Sequence, residues 1–126
     1  MNLNKLGEFG FIERIKNGIT NSKSVIKGIG DDCAVLGYTN RKYLLFTSDM
    51  LIEGRHFLKG TRGCLIGKKS LSANISDIAA MGGVPKSAVV SLGISGEHSL
   101  NLIDDIYKGI SKTAKYFGVD IVGGDT

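Results

Sequence analysis

The sequence predicts an α+β fold, an α/β sandwich in which a mixed β-sheet carries helices packed on one face. Apolar residues recur with strand periodicity in some segments and with helical periodicity in others. Strands dominate the first half, whereas helices and strands interleave in the second, too irregularly for a doubly wound parallel sheet. With 126 residues, 42% of them hydrophobic, the chain suffices for one domain with a single core, spanning residues 1–126.

The first half predicts a short helix followed by a β-hairpin. Residues 8–17 place apolar side chains on one helical face and are followed by a glycine, so we expect a helix that covers the core. Residues 33–36 and 43–48 are predicted strands joined by a turn, and residues 44–46 form a short apolar run that we expect to be buried. The hairpin brings Asp49 to its far end.

The next helix is predicted over residues 65–81, where apolar residues recur at helical spacing until a pair of glycines ends the pattern. Asp77 lies near its carboxyl end. The segment from Gly63 to Ser70 superficially resembles a Walker A phosphate loop. However, only three residues separate its glycines, and Lys69 stands where that loop requires a hydroxyl residue. We therefore expect a loop that enters the helix.

The remaining elements are a strand, a helix and a final short strand. Residues 87–94 have apolar side chains on both faces, which indicates a covered strand. Residues 99–117 form the clearest helix, with Ser99 able to cap its start and Gly118 able to end it. Residues 120–122 predict a last strand that leads into a pair of glycines.

Composition excludes several classes of protein. The net charge is +4, but lysine and arginine are scattered, so a solvated surface is favoured over nucleic-acid binding. Cys33 and Cys64 lack the spacing of a zinc site or a disulfide framework, which favours reduced thiols in the cytoplasm. The amino terminus lacks the apolar stretch of a signal peptide, and no segment predicts a membrane span.

Five aspartates stand at the ends of predicted elements: Asp31, Asp32, Asp49, Asp77 and Asp125. Single carboxylates and hydroxyls on separate elements suit Mg²⁺, which prefers oxygen ligands and is usually held by one or two carboxylates together with substrate phosphates. Aspartate also favours turns and caps, and that interpretation suffices for any one of the five alone. Together they indicate a site for polyvalent cations and phosphates.

The phrases around these residues are more specific than the residues themselves. In order, they are GEFGFIERI, GIGDDCAVL, LLFTSDMLIEGRHF, KSLSANISDIAAMGGVPKSAVVSLGI and VDIVGGDT. In order and spacing they resemble the amino-terminal domain of the thiamine-monophosphate kinases, in the superfamily of aminoimidazole ribonucleotide synthetase. The resemblance covers nearly the whole chain.

The resemblance implies ATP-dependent phosphorylation of thiamine phosphate to thiamine diphosphate, with several Mg²⁺ ions. The residues that match the family's metal-binding positions are Asp32, Thr47, Ser48, Asp49, Asp77 and Asp125. Those that match its ATP-binding positions are Asp32, Tyr107, Gly124 and Asp125, while His56 matches a substrate-binding position. No general base is implied, because a phosphate oxygen of the substrate is already a nucleophile. The role of Asp31 stays open.

The resemblance also implies features beyond this chain. The family continues into a carboxy-terminal domain, so we expect these residues alone to lack kinase activity. Amino-terminal domains of the family pair through their sheets into a barrel shared by a homodimer, which makes residues 43–48 and 87–94 candidates for the interface. Two alternatives stay open: a non-catalytic dimerisation or nucleotide-binding module, and another superfamily member such as aminoimidazole ribonucleotide synthetase, selenophosphate synthetase or a hydrogenase maturation ATPase.

Overall fold

The computed structural model describes residues 3–126, which form two compact units divided between Thr47 and Ser48. Helices and two small β-sheets are both present, so the predicted α+β class is confirmed. The chain has its buried hydrophobic cluster in the second unit. Within residues 3–126, no helix has the length and apolar character needed to cross a membrane.

The first unit contains one helix and a three-stranded antiparallel sheet. Helix α1 spans Leu3–Lys16 and is kinked at Gly7, where φ is 70°. Strands β1 (Val25–Lys27), β2 (Ala34–Thr39) and β3 (Lys42–Phe46) lie side by side in chain order. The predicted hairpin is therefore confirmed as β2 and β3. Strand β1 was not predicted, since three residues are too few to show an alternating pattern.

Two burial predictions in the first unit are wrong. The apolar run 44–46 was expected inside, yet Leu44 is 41% and Phe46 is 56% exposed. Helix α1 was expected to cover the core, yet its Phe9 is 86% exposed. The physical reason is that β3 is the last strand of its sheet, and over residues 3–126 its side chains are exposed or half-buried without a fully buried face. Most of its apolar side chains are therefore exposed.

The second unit is built from two helices and a parallel strand pair. Helix α2 spans Gly63–Ala80, strand β4 Ser87–Ser91, helix α3 Leu100–Phe117 and strand β5 Asp120–Asp125. Helix α3 is the crossover that allows β4 and β5 to pair in parallel. The buried cluster comprises Leu71, Ile75, Ile106, Ile110, Ala114 and Val119. Both helices thus contribute the predicted apolar stripes, although Phe117 at the end of α3 is 46% exposed.

The sheet prediction needs correction in three respects. A single mixed sheet was expected, but the antiparallel strands β1 to β3 and the parallel strands β4 and β5 form separate hydrogen-bonded sheets. Local hairpins connect the first group, whereas a helical crossover connects the second, so each group pairs within itself. Strand β5 continues through Asp125 rather than ending at residue 122. Strand β4 is covered on one face only, since Val89 is 68% exposed.

Glycines bring α2 and α3 unusually close together. A Cβ added to Gly67 would lie 2.0 Å from the carbonyl oxygen of Ile106, and one added to Gly109 would lie 2.2 Å from that of Cys64. Only a residue without a side chain permits this approach. The expected loop before residue 65 is therefore wrong: α2 already begins at Gly63, and Gly63 and Gly67 pack it against its neighbour.

The helix ends follow the sequence closely. The Ser99 hydroxyl accepts a hydrogen bond from the Leu102 amide at 3.3 Å, and Gly118 ends α3 in the left-handed conformation with φ 66°. Helix α2 begins without a cap from its own Arg62, but Asp105 of α3 accepts a hydrogen bond from the Cys64 amide at 2.8 Å. A carboxylate from one helix thus caps the other, favourably placed against the helix dipole.

Candidate functional site

The loop at the start of the second unit, which follows Ser48, lies against α2 of the same unit. The Asp49 amide donates a hydrogen bond to Oδ1 of Asn74 at 3.1 Å, and Nδ2 of Asn74 donates to the Ser70 carbonyl at 3.0 Å. Asp77 follows Asn74 by three positions and therefore lies on the same face of α2. The structure thus brings the backbone of Asp49 to the helical face that carries Asp77.

His56 closes the same loop on itself. Its Nδ1 accepts a hydrogen bond from the Ile52 amide at 2.9 Å, while its own amide donates to the Ile52 carbonyl at 2.8 Å. Since Nδ1 is an acceptor, the proton of the neutral ring is on Nε2. The residue is exposed, so Nε2 is available as a donor to a ligand.

The loop has a second contact with α2. Lys69 donates a hydrogen bond from Nζ to the carbonyl oxygen of His56. Sequence reasoning assigned no role to Lys69 or to Asn74. For Asn74 a signal existed, because asparagine in a helix interior is unfavourable and its presence calls for a tertiary reason.

The first unit contains two more predicted metal ligands, Asp32 and Thr47. Asp31, next to Asp32 in the chain, pairs with Lys27, and its Oδ1 accepts a hydrogen bond from the Asp32 amide at 2.9 Å. The hydrogen bond from Lys27, followed by that from the Asp32 amide, lowers the pKa of Asp31. Asp31 is therefore engaged in holding its own turn.

Gly124 and Asp125 lie on β5, beside β4. Gly124 pairs with Val90, and a Cβ at this glycine would lie 1.7 Å from the Val90 carbonyl oxygen. Asp125 pairs with Ser91, and its carbonyl accepts a hydrogen bond from the Leu92 amide at 2.9 Å. Strand pairing therefore accounts for the glycine, and nucleotide binding by Gly124 and Asp125 stays a prediction.

Tyr107 is predicted to approach the nucleotide. In the structure it is half-buried and packs against the hydrophobic cluster. Its packing role is thus clear, and its contact with ATP stays a prediction.

The Ser48 hydroxyl is exposed at the start of the loop that carries Asp49.

The predicted metal ligands are divided between the two units. Neither unit, over residues 3–126, gathers three or more His, Cys, Asp or Glu side chains into a group that could hold a metal ion. The donors themselves are hard oxygen ligands of the kind Mg²⁺ prefers, and this ion commonly needs only one or two carboxylates when phosphates supply the rest. The residues fit Mg²⁺ in chemistry, and the metal set stays a prediction.

A groove of about 1120 Å³ lies between α2 and α3. Its basic lining residues are Arg62, Lys68, Lys108, Lys112 and Lys115. None of these five makes an ion pair within residues 3–126. The groove contains none of the predicted site residues, so it is a feature separate from the loop on α2.

Comparison with known proteins establishes the class of this chain. The family model described as AIR synthase related protein, N-terminal domain, matches residues 30–126. The chain therefore belongs to the AIR synthase related family, and its residues 30–126 match the family's amino-terminal domain.

Among curated proteins, the chain is similar to the thiamine-monophosphate kinase of Aquifex aeolicus, with 38% identity over 99% of this chain and 39% of the relative. The thiamine-monophosphate kinase of Bacillus subtilis is also 38% identical, over 96% of this chain and 38% of that protein. The sequence-based resemblance is thus confirmed. The chain spans less than two fifths of the length of these relatives, 39% and 38%.

A solved structure shares the fold. It is described as AaThiL complexed with AMPPCP and TMP, and it matches 99% of this chain and 38% of its own length with a TM-score of 0.89 and 38% identity. The backbone of this domain is therefore close to that of a protein seen with both a nucleotide analogue and TMP.

Proposed function

We propose that this chain is the amino-terminal domain of a thiamine-monophosphate kinase, which transfers the γ-phosphoryl group of ATP to thiamine phosphate and so forms thiamine diphosphate and ADP. The observation that carries the proposal is the match over 99% of the chain, at 38% identity, to AaThiL complexed with AMPPCP and TMP. A carboxy-terminal domain would complete the nucleotide and substrate pockets, and residues 1–126 alone would be inactive.

Charge neutralisation and alignment are the main tasks of such a site, because both substrates are anionic. Bound Mg²⁺ would supply positive charge that offsets the negative charge of the phosphates. The carboxylates of Asp32, Asp49, Asp77 and Asp125, with the hydroxyls of Thr47 and Ser48, would hold it. His56 would donate from Nε2 to an acceptor on the substrate, since Nδ1 is engaged with the Ile52 amide. Tyr107 and Gly124 would line the nucleotide side.

A homodimer paired through its sheets is the second part of the proposal. Support comes from exposed apolar side chains on three strands: Leu44 and Phe46 of β3, Val89 of β4 and Val122 of β5. Unpaired strand edges and exposed apolar faces favour association, because pairing would remove the edges and the faces from water. A cytoplasmic location, which the two cysteines favour, stays a prediction.

The test is a thiamine diphosphate assay on the full-length protein with ATP, Mg²⁺ and thiamine phosphate. We expect Asp49→Ala and Asp77→Ala to abolish turnover while leaving thermal unfolding nearly unchanged. Asp104→Ala, at an exposed carboxylate on α3, is the matched control and should retain activity. Near-normal turnover in either of the first two variants would contradict the proposed metal site.

The same assay separates the alternatives. Turnover of an aminoimidazole precursor or of selenide in place of thiamine phosphate would assign the protein to another branch of the superfamily. Calorimetric binding of an ATP analogue with Mg²⁺, without turnover of any of these substrates by the full-length protein, would instead indicate a non-catalytic nucleotide-binding module.

A further inference from the structure

The loop that carries Asp49 and His56 is attached to α2 at both of its ends. At the start, the Asp49 amide donates to Asn74 Oδ1 at 3.1 Å, and at the end, Lys69 Nζ donates to the carbonyl of His56. Both anchors are side chains of one helix, whereas both anchored atoms belong to the loop backbone. The anchors thus use neither the Asp49 carboxylate nor Nε2 of His56.

The geometry of the Asn74 amide supports this attachment. Its Nδ2 donates to the Ser70 carbonyl at 3.0 Å, one helical turn earlier. The Ser70 carbonyl can accept only from Nδ2 of Asn74, because Oδ1 is not a donor. This contact therefore fixes the orientation of the side-chain amide and leaves Oδ1 as the acceptor for the backbone N–H of Asp49. One orientation of the side chain therefore satisfies both contacts, and the helix itself holds the acceptor in place.

The two anchors lie close together along the helix compared with the length of the segment that they hold. Lys69 and Asn74 are five residues apart, which corresponds to about 7.5 Å along the helix axis. The segment from Asp49 to His56 could extend to roughly 23 Å. It must therefore fold back, and the hydrogen bonds between Ile52 and His56 show that it does.

We propose that Asn74 and Lys69 are positioning residues that set the separation between Asp49, on the metal side of the site, and His56, on the side of the phosphate acceptor. Neither needs to touch a substrate. This inference rests on the proposed kinase function for its catalytic meaning, while the attachment itself rests on the contacts above.

The attachment is tested by hydrogen–deuterium exchange of the full-length protein, read from a peptide that covers residues 48–57. Asn74→Ala and Lys69→Met should each speed deuterium uptake in this peptide by about two- to tenfold, the effect of losing one hydrogen bond. Matched controls are Asn101→Ala and Lys68→Met, at exposed helical positions. A peptide from α3 should exchange at an unchanged rate in all four variants.

Steady-state kinetics of the same variants tests the positioning role. Asn74→Ala should raise the Mg²⁺ concentration for half-maximal activity about two- to tenfold, with little change in KM for thiamine phosphate. Lys69→Met should raise that KM by a similar factor with little change in the Mg²⁺ requirement, and Lys69→Arg, which keeps a donor, should restore it. A purely structural role would change both parameters together or neither.

The outcomes are distinct. Unchanged exchange of the 48–57 peptide in both variants overturns the attachment. Faster exchange with unaltered kinetics in an active enzyme overturns the positioning role. Failure of the unmodified protein to phosphorylate thiamine phosphate overturns the proposed function, and with it the catalytic assignment of both residues, while the exchange experiment still decides whether they anchor the loop.

Discussion

The close contact between α2 and α3 leads to a prediction for Gly67→Ala. The new Cβ would lie 2.0 Å from the Ile106 carbonyl oxygen, whereas ordinary contacts begin at 3.4 Å. The obstacle is backbone, so a rotamer change cannot relieve it, and the helices must separate by about 1.4 Å at this point. That separation would loosen the packing of Ile110 and the other buried residues between the helices.

Two opposing effects determine the size of the change. Alanine is favoured over glycine in a helix by about 1 kcal/mol. Overpacking of this kind typically costs about 1–3 kcal/mol and occasionally more. Since the shortfall of 1.4 Å is large and involves a rigid partner, we expect a net loss of about 2 kcal/mol in the free energy of unfolding. For a chain of this size that corresponds to a melting temperature lower by roughly 6–10 °C.

Thermal unfolding followed by circular dichroism at 222 nm measures this shift. The control is Gly96→Ala, because a Cβ there meets no atom within 4 Å and its φ is not positive. That variant should melt within about 2 °C of the unmodified chain. A Gly67→Ala protein as stable as the control, or more stable, would refute the claim that the helices are in such close contact.

Three further predictions concern a salt bridge, a helix cap and the strand faces. Lys27→Met should raise the pKa of Asp31, read by NMR titration, towards its ordinary value of 3.8. Because that pKa is lowered in the folded protein, the stabilisation is complete above about pH 4 and is lost as pH falls through the folded pKa, so the stability gap between variant and parent should close in acid. Ser99→Ala should cost about 1 kcal/mol, or roughly 4 °C in melting temperature, through loss of the α3 cap. Phe46→Asp should shift the full-length protein towards monomer in sedimentation, and a dimer of unchanged affinity would exclude β3 from the interface.

Much of the secondary structure could be predicted because its signals are local. Ser99 and Gly118 mark the ends of α3 through the chemistry of a hydroxyl acceptor and a residue that tolerates positive φ. The α3 stripe at helical spacing was placed correctly for the same reason, and Ile106 and Ile110 are both buried. Burial in the first unit was not predictable, because an apolar residue such as Phe46 gives the same sequence pattern whether it becomes buried or stays exposed.

The candidate ligand residues could be predicted from the sequence, but the residues that hold their loop in place could not. Asp49 and His56 stand in phrases whose order and spacing resemble a family, so sequence comparison reaches them directly. Asn74 accepts a hydrogen bond from the backbone amide of Asp49, 25 positions earlier in the chain. Lys69 donates one to the backbone carbonyl of His56, 13 positions earlier. Contacts between a side chain and a distant backbone leave no periodic pattern in the sequence.

The sequence by itself determined the family, the α+β class, the limits of α3 and the set of candidate ligands, because motifs, periodicity and capping depend on neighbours along the chain. Only the tertiary structure decided that the strands form two sheets, that Gly63 and Gly67 pack α2 against α3, and that one helix holds both ends of the loop bearing Asp49 and His56. These features depend on which distant backbone atoms meet when the elements pack. Local propensity does not encode those distances.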